Sequence, residues 1–294
     1  MHAKIHESYV LHSFAQFAAT AIFHRGELQQ TKTAVAAGGS EFLCSAIMSK
    51  EKNKDGYGAL LLSAYKTGGQ GVFEITERVD GFIAASNWPP RYFSEYSNWS
   101  KRERQAISLA KGRVLDIGCG AGRFSLHLQQ KGFDVTGIDN SRGAVKVCKL
   151  RGVKDVRLMS IDEIGKFKPR SFDTVMMMGN NFGLFGGFKK ARRTLKQMHT
   201  ITSAEAKIIA EAVDPYQTND PLHLAYQRRN REQGRMSGQL RIRIRHQNIV
   251  GAWFDYLLVS QKEMKKILAG TGWEISKILP DKGPGYTVII AKTK

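Results

Sequence analysis

The sequence predicts an α/β fold: a mostly parallel sheet with helices on both faces. Three observations carry this expectation. From Arg113 onward, short apolar strands alternate with segments of helical spacing. Phe172–Met178 is a continuous run dominated by apolar side chains, as in a strand buried on both faces. A glycine-rich turn, Gly118-Cys119-Gly120-Ala121-Gly122, joins the first clear strand to a helix.

The elements follow in order. Residues 1–47 balance their charges, with Lys4, Arg25 and Lys32 against Glu7, Glu27 and Glu41. Their apolar stretch from Tyr9 to Phe23 is broken by His12, Ser13 and Gln16, and lacks the clean centre of a secretory signal. Met48 opens a polar run typical of an N-terminus, so residues 1–47 are expected to be a disordered extension or an artefact of start-codon choice. Residues 48–111 read as a cap or lid, with a helix at Gly58–Tyr65 and short strands at Val72–Thr76 and Gly81–Ala85. Aromatics cluster at Trp88, Tyr92, Phe93, Tyr96 and Trp99, and Arg102–Ala110 has helical spacing.

Residues 112–294 read as the core. Strand Arg113–Ile117 leads into a helix with Ala121, Phe124 and Leu128 on one face. Strand Asp134–Ile138 precedes a helix stopped at Arg151-Gly152. Val156–Met159 is a third strand, Phe172–Met178 a fourth, Lys189–His199 a helix and Ala206–Val213 a fifth strand. Residues 214–238 are polar and arginine-rich, with no helical or strand period. Gln239–Gln247 alternates strictly and is expected to pair with Ala252–Leu258, a β-hairpin insertion lying within residues 214–258. A helix containing Met264, Ile267 and Leu268 stops at Gly270, and Trp273–Leu279 with Tyr286–Ala291 makes a final antiparallel pair.

The glycine turn carries the chemistry. Its spacing is G-x-G-x-G, whereas dinucleotide sites use G-x-G-x-x-G. Asp116 precedes the first glycine inside the strand, where a carboxylate repels a pyrophosphate but suits a ligand bearing an ammonium and a sulfonium. Asp139 ends the second strand, where a carboxylate can accept from both ribose hydroxyls. Residues 113–200, through Val-Leu-Asp-Ile-Gly-Cys-Gly-Ala-Gly-Arg (114–123) and Val-Thr-Gly-Ile-Asp (135–139), closely resemble the class I S-adenosylmethionine-dependent methyltransferase family. The resemblance implies a Rossmann-like seven-stranded, mostly parallel sheet with an antiparallel C-terminal strand, and S-adenosyl-L-methionine as cofactor. It implies that Asp116, Gly118, Cys119, Gly120 and Gly122 hold the amino-acid end of the cofactor, that Asp139 holds the ribose, and that Asn140 lies beside the adenine. Ile161 and Asp162 would line the adenine, with Asp162 accepting from its amino group; a helix cap is the alternative role for Asp162. Gly179 and Asn180 would line the methyl-donor end. Asp55-Gly-Tyr-Gly, Trp253-Phe-Asp-Tyr-Leu-Leu and the segment 214–239 extend the similarity, over about residues 55–292, to a poorly characterised bacterial subgroup of that family.

The acceptor is less legible. Gly179-Asn180-Asn181-Phe182 stands where enzymes methylating base or glutamine amines carry Asn-Pro-Pro-Tyr or a variant, which argues against that branch. His223 is the most apt proton acceptor, with Asp214 to orient it or act alone; a structural histidine is the plainer role. Tyr92, Tyr96 and Tyr216 are candidate acceptor contacts, against simple packing for the first two. Asp214, Asp220 and His223 have no committed metal spacing, so no metal is expected. Alternation puts Arg241, Arg243 and Arg245 on one strand face, suited to a carboxylate or phosphate, to an RNA backbone, or to plain solvation.

The formal net charge of +19 at pH 7 speaks to anionic partners and not to fold. Three cysteines without a C-x-x-C pair suggest a reducing, cytoplasmic setting, and no run reaches the roughly 18 apolar residues of a membrane span. The leading expectation is a methyltransferase acting on a small, anionic metabolite. An RNA methyltransferase and a cofactor-binding protein without catalysis are the competing readings.

Overall fold

The computed structural model describes residues 55–293, so the expectations for residues 1–47 lie outside the described residues. The elements are α1 (Gly56–Thr67), β1 (Glu74–Arg78), β2 (Ile83–Ser86), α2 (Lys101–Ile107), β3 (Arg113–Ile117), α3 (Arg123–Gln130), β4 (Asp134–Asp139), α4 (Arg142–Leu150), β5 (Asp155–Leu158) and β6 (Phe172–Met177). They continue with α5 (Phe188–Ile201), β7 (Thr202–Val213), α6 (Pro221–Glu232), β8 (Gln239–His246), β9 (Ile249–Val250), β10 (Phe254–Leu257), α7 (Gln261–Leu268), β11 (Trp273–Pro280) and β12 (Gly285–Lys292).

Seven strands form one sheet in the order β11-β12-β7-β6-β3-β4-β5. β3 pairs in parallel with β4 on one side and β6 on the other, while β12 runs antiparallel to both β7 and β11. The expected α/β class is therefore the observed one. The core lies on both faces of this sheet, with Leu115, Val175, Met177 and Ile208 on one and Val114, Met176 and Ile209 on the other. Local chemistry sets the helix ends: Asp55 and Ser141 cap α1 and α4, and Ser260 with Glu263 forms a capping box on α7.

The second sheet joins distant parts of the chain. Its order is β10-β8-β1-β2, all antiparallel, with β9 also on β8. β8 and β10 pair with each other, and the other side of β8 takes β1 from the N-terminal segment. Residues before β3 and residues after β7 thus form a single sheet. α1 wedges between this sheet and α4: Leu60 and Ala64 pack on Ile244, while Leu61 packs on Ala144 and Val147. The carboxylate of Asp55 ties the junction, accepting from Ser141 Oγ at 2.8 Å and from the N–H of Gly143 at 3.0 Å.

One expectation fails here. Residues 221–232 are helical, although no helical period is readable in the sequence. The buried face of α6 is largely polar, comprising Tyr226, Gln227 and Asn230. Asn230 Nδ2 donates to the carbonyls of Ser237 (3.1 Å) and Gln239 (2.8 Å), and Gln227 Nε2 to that of Pro215 (2.6 Å). Hydrogen bonds replace the apolar stripe that sequence reading relies on. Asp220 and Pro221 supply the start.

Candidate cofactor and acceptor cleft

β3 is the point at which the strand order reverses, and ligands in doubly wound sheets bind beyond the carboxyl ends of strands at such a point. The loop after β3 is built for close approach. Gly118, Gly120 and Gly122 have φ of 70°, 56° and 76°, a backbone region costly for side-chain-bearing residues. A Cβ at Gly118 would lie 2.6 Å from Asn181 Nδ2, and one at Gly120 2.9 Å from the hydroxyl of Tyr57. The N–H groups of Gly118 and Cys119 donate to Ile138 O, and Asn181 Nδ2 donates to the carbonyls of Ile117 and Gly118, so neighbouring strands fix the loop.

Two buried carboxylates flank it. Asp116 accepts from Ser125 Oγ at 2.6 Å, and burial pushes its carboxyl up to about 6. Asp139 accepts from the N–H groups of Gly120 and Ser141, both at 2.9 Å, and burial again lifts it to about 6. These anions exclude a pyrophosphate. They fit a cofactor that presents an ammonium and a ribose diol.

The loop opens into a cleft of about 2060 Å³, roofed by the second sheet. One small ligand occupies roughly 300–1,000 Å³, so the space suits a cofactor with an acceptor. Asp116, Gly118, Cys119, Gly120, Asp139, Asn140, Ile161, Asp162, Gly179 and Asn180 all line it. Gly122 instead turns away, packed under Val153 and Cys148. Asp162 forms an ion pair with Lys190 at 2.9 Å, and Ser160 rather than Asp162 caps the short turn that follows. Gly179 N–H donates to the buried Glu211 at 2.6 Å.

The candidate acceptor residues divide. Tyr92 lines the cleft. Tyr96 does not: it is 39% exposed and stacks on His127 at 4.5 Å, outside the cavity. Tyr216 is likewise 48% exposed, its hydroxyl donating to Glu263 at 2.8 Å. Asp214 and His223 both line the cleft. Asp214 accepts from the N–H of Tyr216, closing a turn; His223 sits edge-on to Phe82 with Nδ1 3.3 Å from Thr218 Oγ1. Burial lowers the His223 pKa, which leaves it neutral at pH 7.

The arginine row is salt-bridged. Strand register puts Glu74, Thr76 and Arg78 on the face shared by Ser86, Ala84, Ile244, Ile242, Phe254 and Tyr256. Arg241, Arg243 and Arg245 belong to the opposite face, with Glu77, Asp255 and the 55%-exposed Ile83. There the charges are offset. Glu77 takes two bonds from Arg243, at 2.8 and 2.9 Å, and pairs with Arg245 at 3.3 Å; Asp255 takes Arg241 at 3.2 Å. Arg241, Arg243 and Arg245 also line the cleft, but as guanidinium groups already paired with Asp255 and Glu77.

Sequence reading missed Tyr57, Glu74, Glu211 and Tyr256, all lining the cleft. The motif Asp55-Gly-Tyr-Gly was the one signal for Tyr57. Among the described residues no group of three His, Cys, Asp or Glu could hold a metal ion, and no helix is long and apolar enough to cross a membrane.

Comparison with known proteins agrees with this architecture. Residues 114–204 match the methyltransferase domain family. Ubiquinone biosynthesis O-methyltransferases of Dechloromonas aromatica and Xanthomonas euvesicatoria pv. vesicatoria are 46% identical over 76 residues and 39% over 77, which is 24% of this chain each time and 33% and 32% of theirs. The chain thus aligns with about a third of the length of these curated relatives. A SAM-dependent methyltransferase from Bacteroides fragilis, solved with S-adenosyl-L-homocysteine, has a TM-score of 0.69 at 24% identity, covering 82% of this chain and 96% of that one. Another from Methanosarcina mazei has a TM-score of 0.52 at 20% identity, covering 66% and 98%. Residues 114–204 thus match a methyltransferase domain, and the described fold is similar to that of S-adenosylmethionine-dependent methyltransferases.

Proposed function

We propose that this protein transfers a methyl group from S-adenosyl-L-methionine to a small-molecule acceptor held between the parallel sheet and the antiparallel roof. One observation carries the reading: the glycine loop, flanked by the buried Asp116 and Asp139, opens into a roofed cleft larger than the cofactor requires. The cofactor supplies a reactive methyl on a sulfonium. The chain's own residues bind, orient and exclude water. Asp139 holds the ribose and keeps the Gly120 N–H in place; Asp116, steadied by Ser125, faces the ammonium end. Cap and insertion act as one lid because they share a sheet. His223, neutral and inside the cleft, is available to take a proton.

The pairing of Arg241, Arg243 and Arg245 with Asp255 and Glu77 favours a small molecule over RNA. The names of the curated relatives add a quinone-precursor hydroxyl to the acceptors worth testing. The free thiols of Cys119 and Cys148 suit the reducing cytoplasm. The test is incubation with methyl-labelled cofactor and fractionated cell extract. Label in the small-molecule fraction is expected; label confined to RNA, with binding that falls steeply with salt, overturns the acceptor class. Cofactor binding with no label in any fraction overturns catalysis.

A further inference from the structure

The roof carries a carboxylate that the methyl-transfer reading does not use. Glu74, on the inward face of β1, lines the cleft. Its Oε2 accepts the hydroxyl of Tyr92 at 2.6 Å, its other polar neighbour is the Thr76 hydroxyl, and among the described residues no cation is its partner. The cation on the same strand face, Arg78, is committed elsewhere: it grips Asp80 at 2.7 and 2.8 Å and lies between the rings of Phe82 and Tyr226.

Where Glu74 points follows from its tyrosine neighbours. Tyr57 stands edge-on to Tyr92, 5.7 Å between centroids, and its hydroxyl lies 2.9 Å from where a Cβ at Gly120 would sit. Tyr256, which feels the charge of Glu74, donates its hydroxyl to Asn180 O at 2.7 Å in the loop after β6. Glu74 therefore faces the space between the loops that follow β3 and β6, beside three phenol rings. A carboxylate with no cation partner, beside aromatic faces and with Glu211 and Asp139 acting on the same tyrosines, favours a cation and repels an anion.

Resting on the methyl-transfer reading, we propose that Glu74 and Tyr92 form the acceptor subsite, and that the acceptor is a basic amine which enters as its ammonium ion. Glu74 pairs with the ammonium and takes one proton from it. The N–H bond breaks, its electron pair stays on nitrogen, an O–H bond forms on Glu74, and both charges vanish. The nitrogen is left with the lone pair that methyl transfer needs. Burial raises the proton affinity of Glu74 above that of an ordinary carboxyl, which eases this step, while the Tyr92 hydroxyl opposes the rise and holds the carboxylate in place. The other titratable and charged groups bearing on Glu74 and its tyrosines are Tyr57, Tyr256, Glu211, Asp139, His223 and the Asp80-paired Arg78, with the Thr76 hydroxyl beside them. The missing Asn-Pro-Pro-Tyr agrees with this assignment, since that motif serves weakly basic amides and base amines.

The test uses the full chain saturated with S-adenosyl-L-homocysteine and titrated calorimetrically with benzylamine, benzyl alcohol and benzoate. Benzylamine is expected to bind at least about tenfold more tightly than benzoate, with the alcohol between them. In Glu74→Gln the preference falls to within about twofold, while homocysteine-product affinity stays within about threefold. Glu74→Asp keeps the charge and part of the preference, which protects the test should the amide variant fold poorly. Benzoate binding as well as benzylamine, no benzylamine binding to the saturated protein, or an unchanged preference in Glu74→Gln each overturns the proposal. Failure of the wild-type chain to bind S-adenosyl-L-homocysteine overturns the methyl-transfer reading instead.

Discussion

Raising the pH from 5 to 7 is expected to tighten S-adenosyl-L-homocysteine binding and to release protons. Asp116 and Asp139 are buried beside the glycine loop, and burial sets both near 6. A bound ammonium and ribose diol favour the ionised carboxylates, so the protons leave as the ligand arrives. One such group titrating near 6 strengthens binding about tenfold across that interval, or about 1.4 kcal/mol, and releases about half a proton at pH 6. Two groups give up to about a hundredfold and about one proton. Calorimetry at pH 6 in buffers of contrasting ionisation enthalpy reads the protons directly, and affinities at pH 5, 6 and 7 read the coupling. The stability of the ligand-free protein moves the other way. The folded values lie above the unfolded carboxyl value of 3.8, so this contribution is present below about pH 4 and lost as pH rises through 6. Each group then costs up to about 3 kcal/mol at pH 7, and the ligand's thermal-shift effect should grow with pH. Equal affinity at pH 5 and 7, with no buffer-dependent heat, would refute the placement of the two carboxylates at the cofactor.

Three substitutions test the remaining geometry. Asp139→Ala removes the acceptor for the Gly120 and Ser141 N–H groups, and S-adenosyl-L-homocysteine affinity should fall at least about a hundredfold; a loss of less than about tenfold contradicts its role. Gly120→Ala forces a side chain into φ 56° beside the Tyr57 hydroxyl, which should cost about 1–2 kcal/mol in urea unfolding and weaken the ligand. Adding Tyr57→Phe should restore part of the loss, and strict additivity in the double-mutant cycle would exclude the contact. Glu77→Gln strips Arg243 and Arg245 of their shared partner; about 1 kcal/mol of stability should go, and salt-sensitive RNA binding should rise from a low base.

The parts of the molecule that were legible in the sequence are those whose signal is local. Alternating strands, Gly118 to Gly122 and the carboxylates that flank them declare themselves within a few positions. The period of β8 correctly puts Arg241, Arg243 and Arg245 together, but alternation is symmetric and does not say which face meets the cleft. The deciding partner is Glu77, 166 positions from Arg243. Glu74 is hidden for the same reason: in sequence it is one acid in a short strand, and only the pairing of β1 with β8 hangs it over the cofactor loop. α6 escapes because its inner face is built from amide hydrogen bonds.

That pairing has a consequence for anyone who would move the acceptor specificity to another enzyme. β1 and β8 are unrelated by sequence position, yet neither is complete without the other: β8 alone would show an unpaired edge, and β1 alone would leave Glu74 with no surface to hang from. A graft of residues 214–258 into a related framework transports the floor of the pocket's far wall without its carboxylate. Recombination must carry both segments, with α1 packed beneath them, or it will exchange one half of a sheet for an aggregation-prone strand.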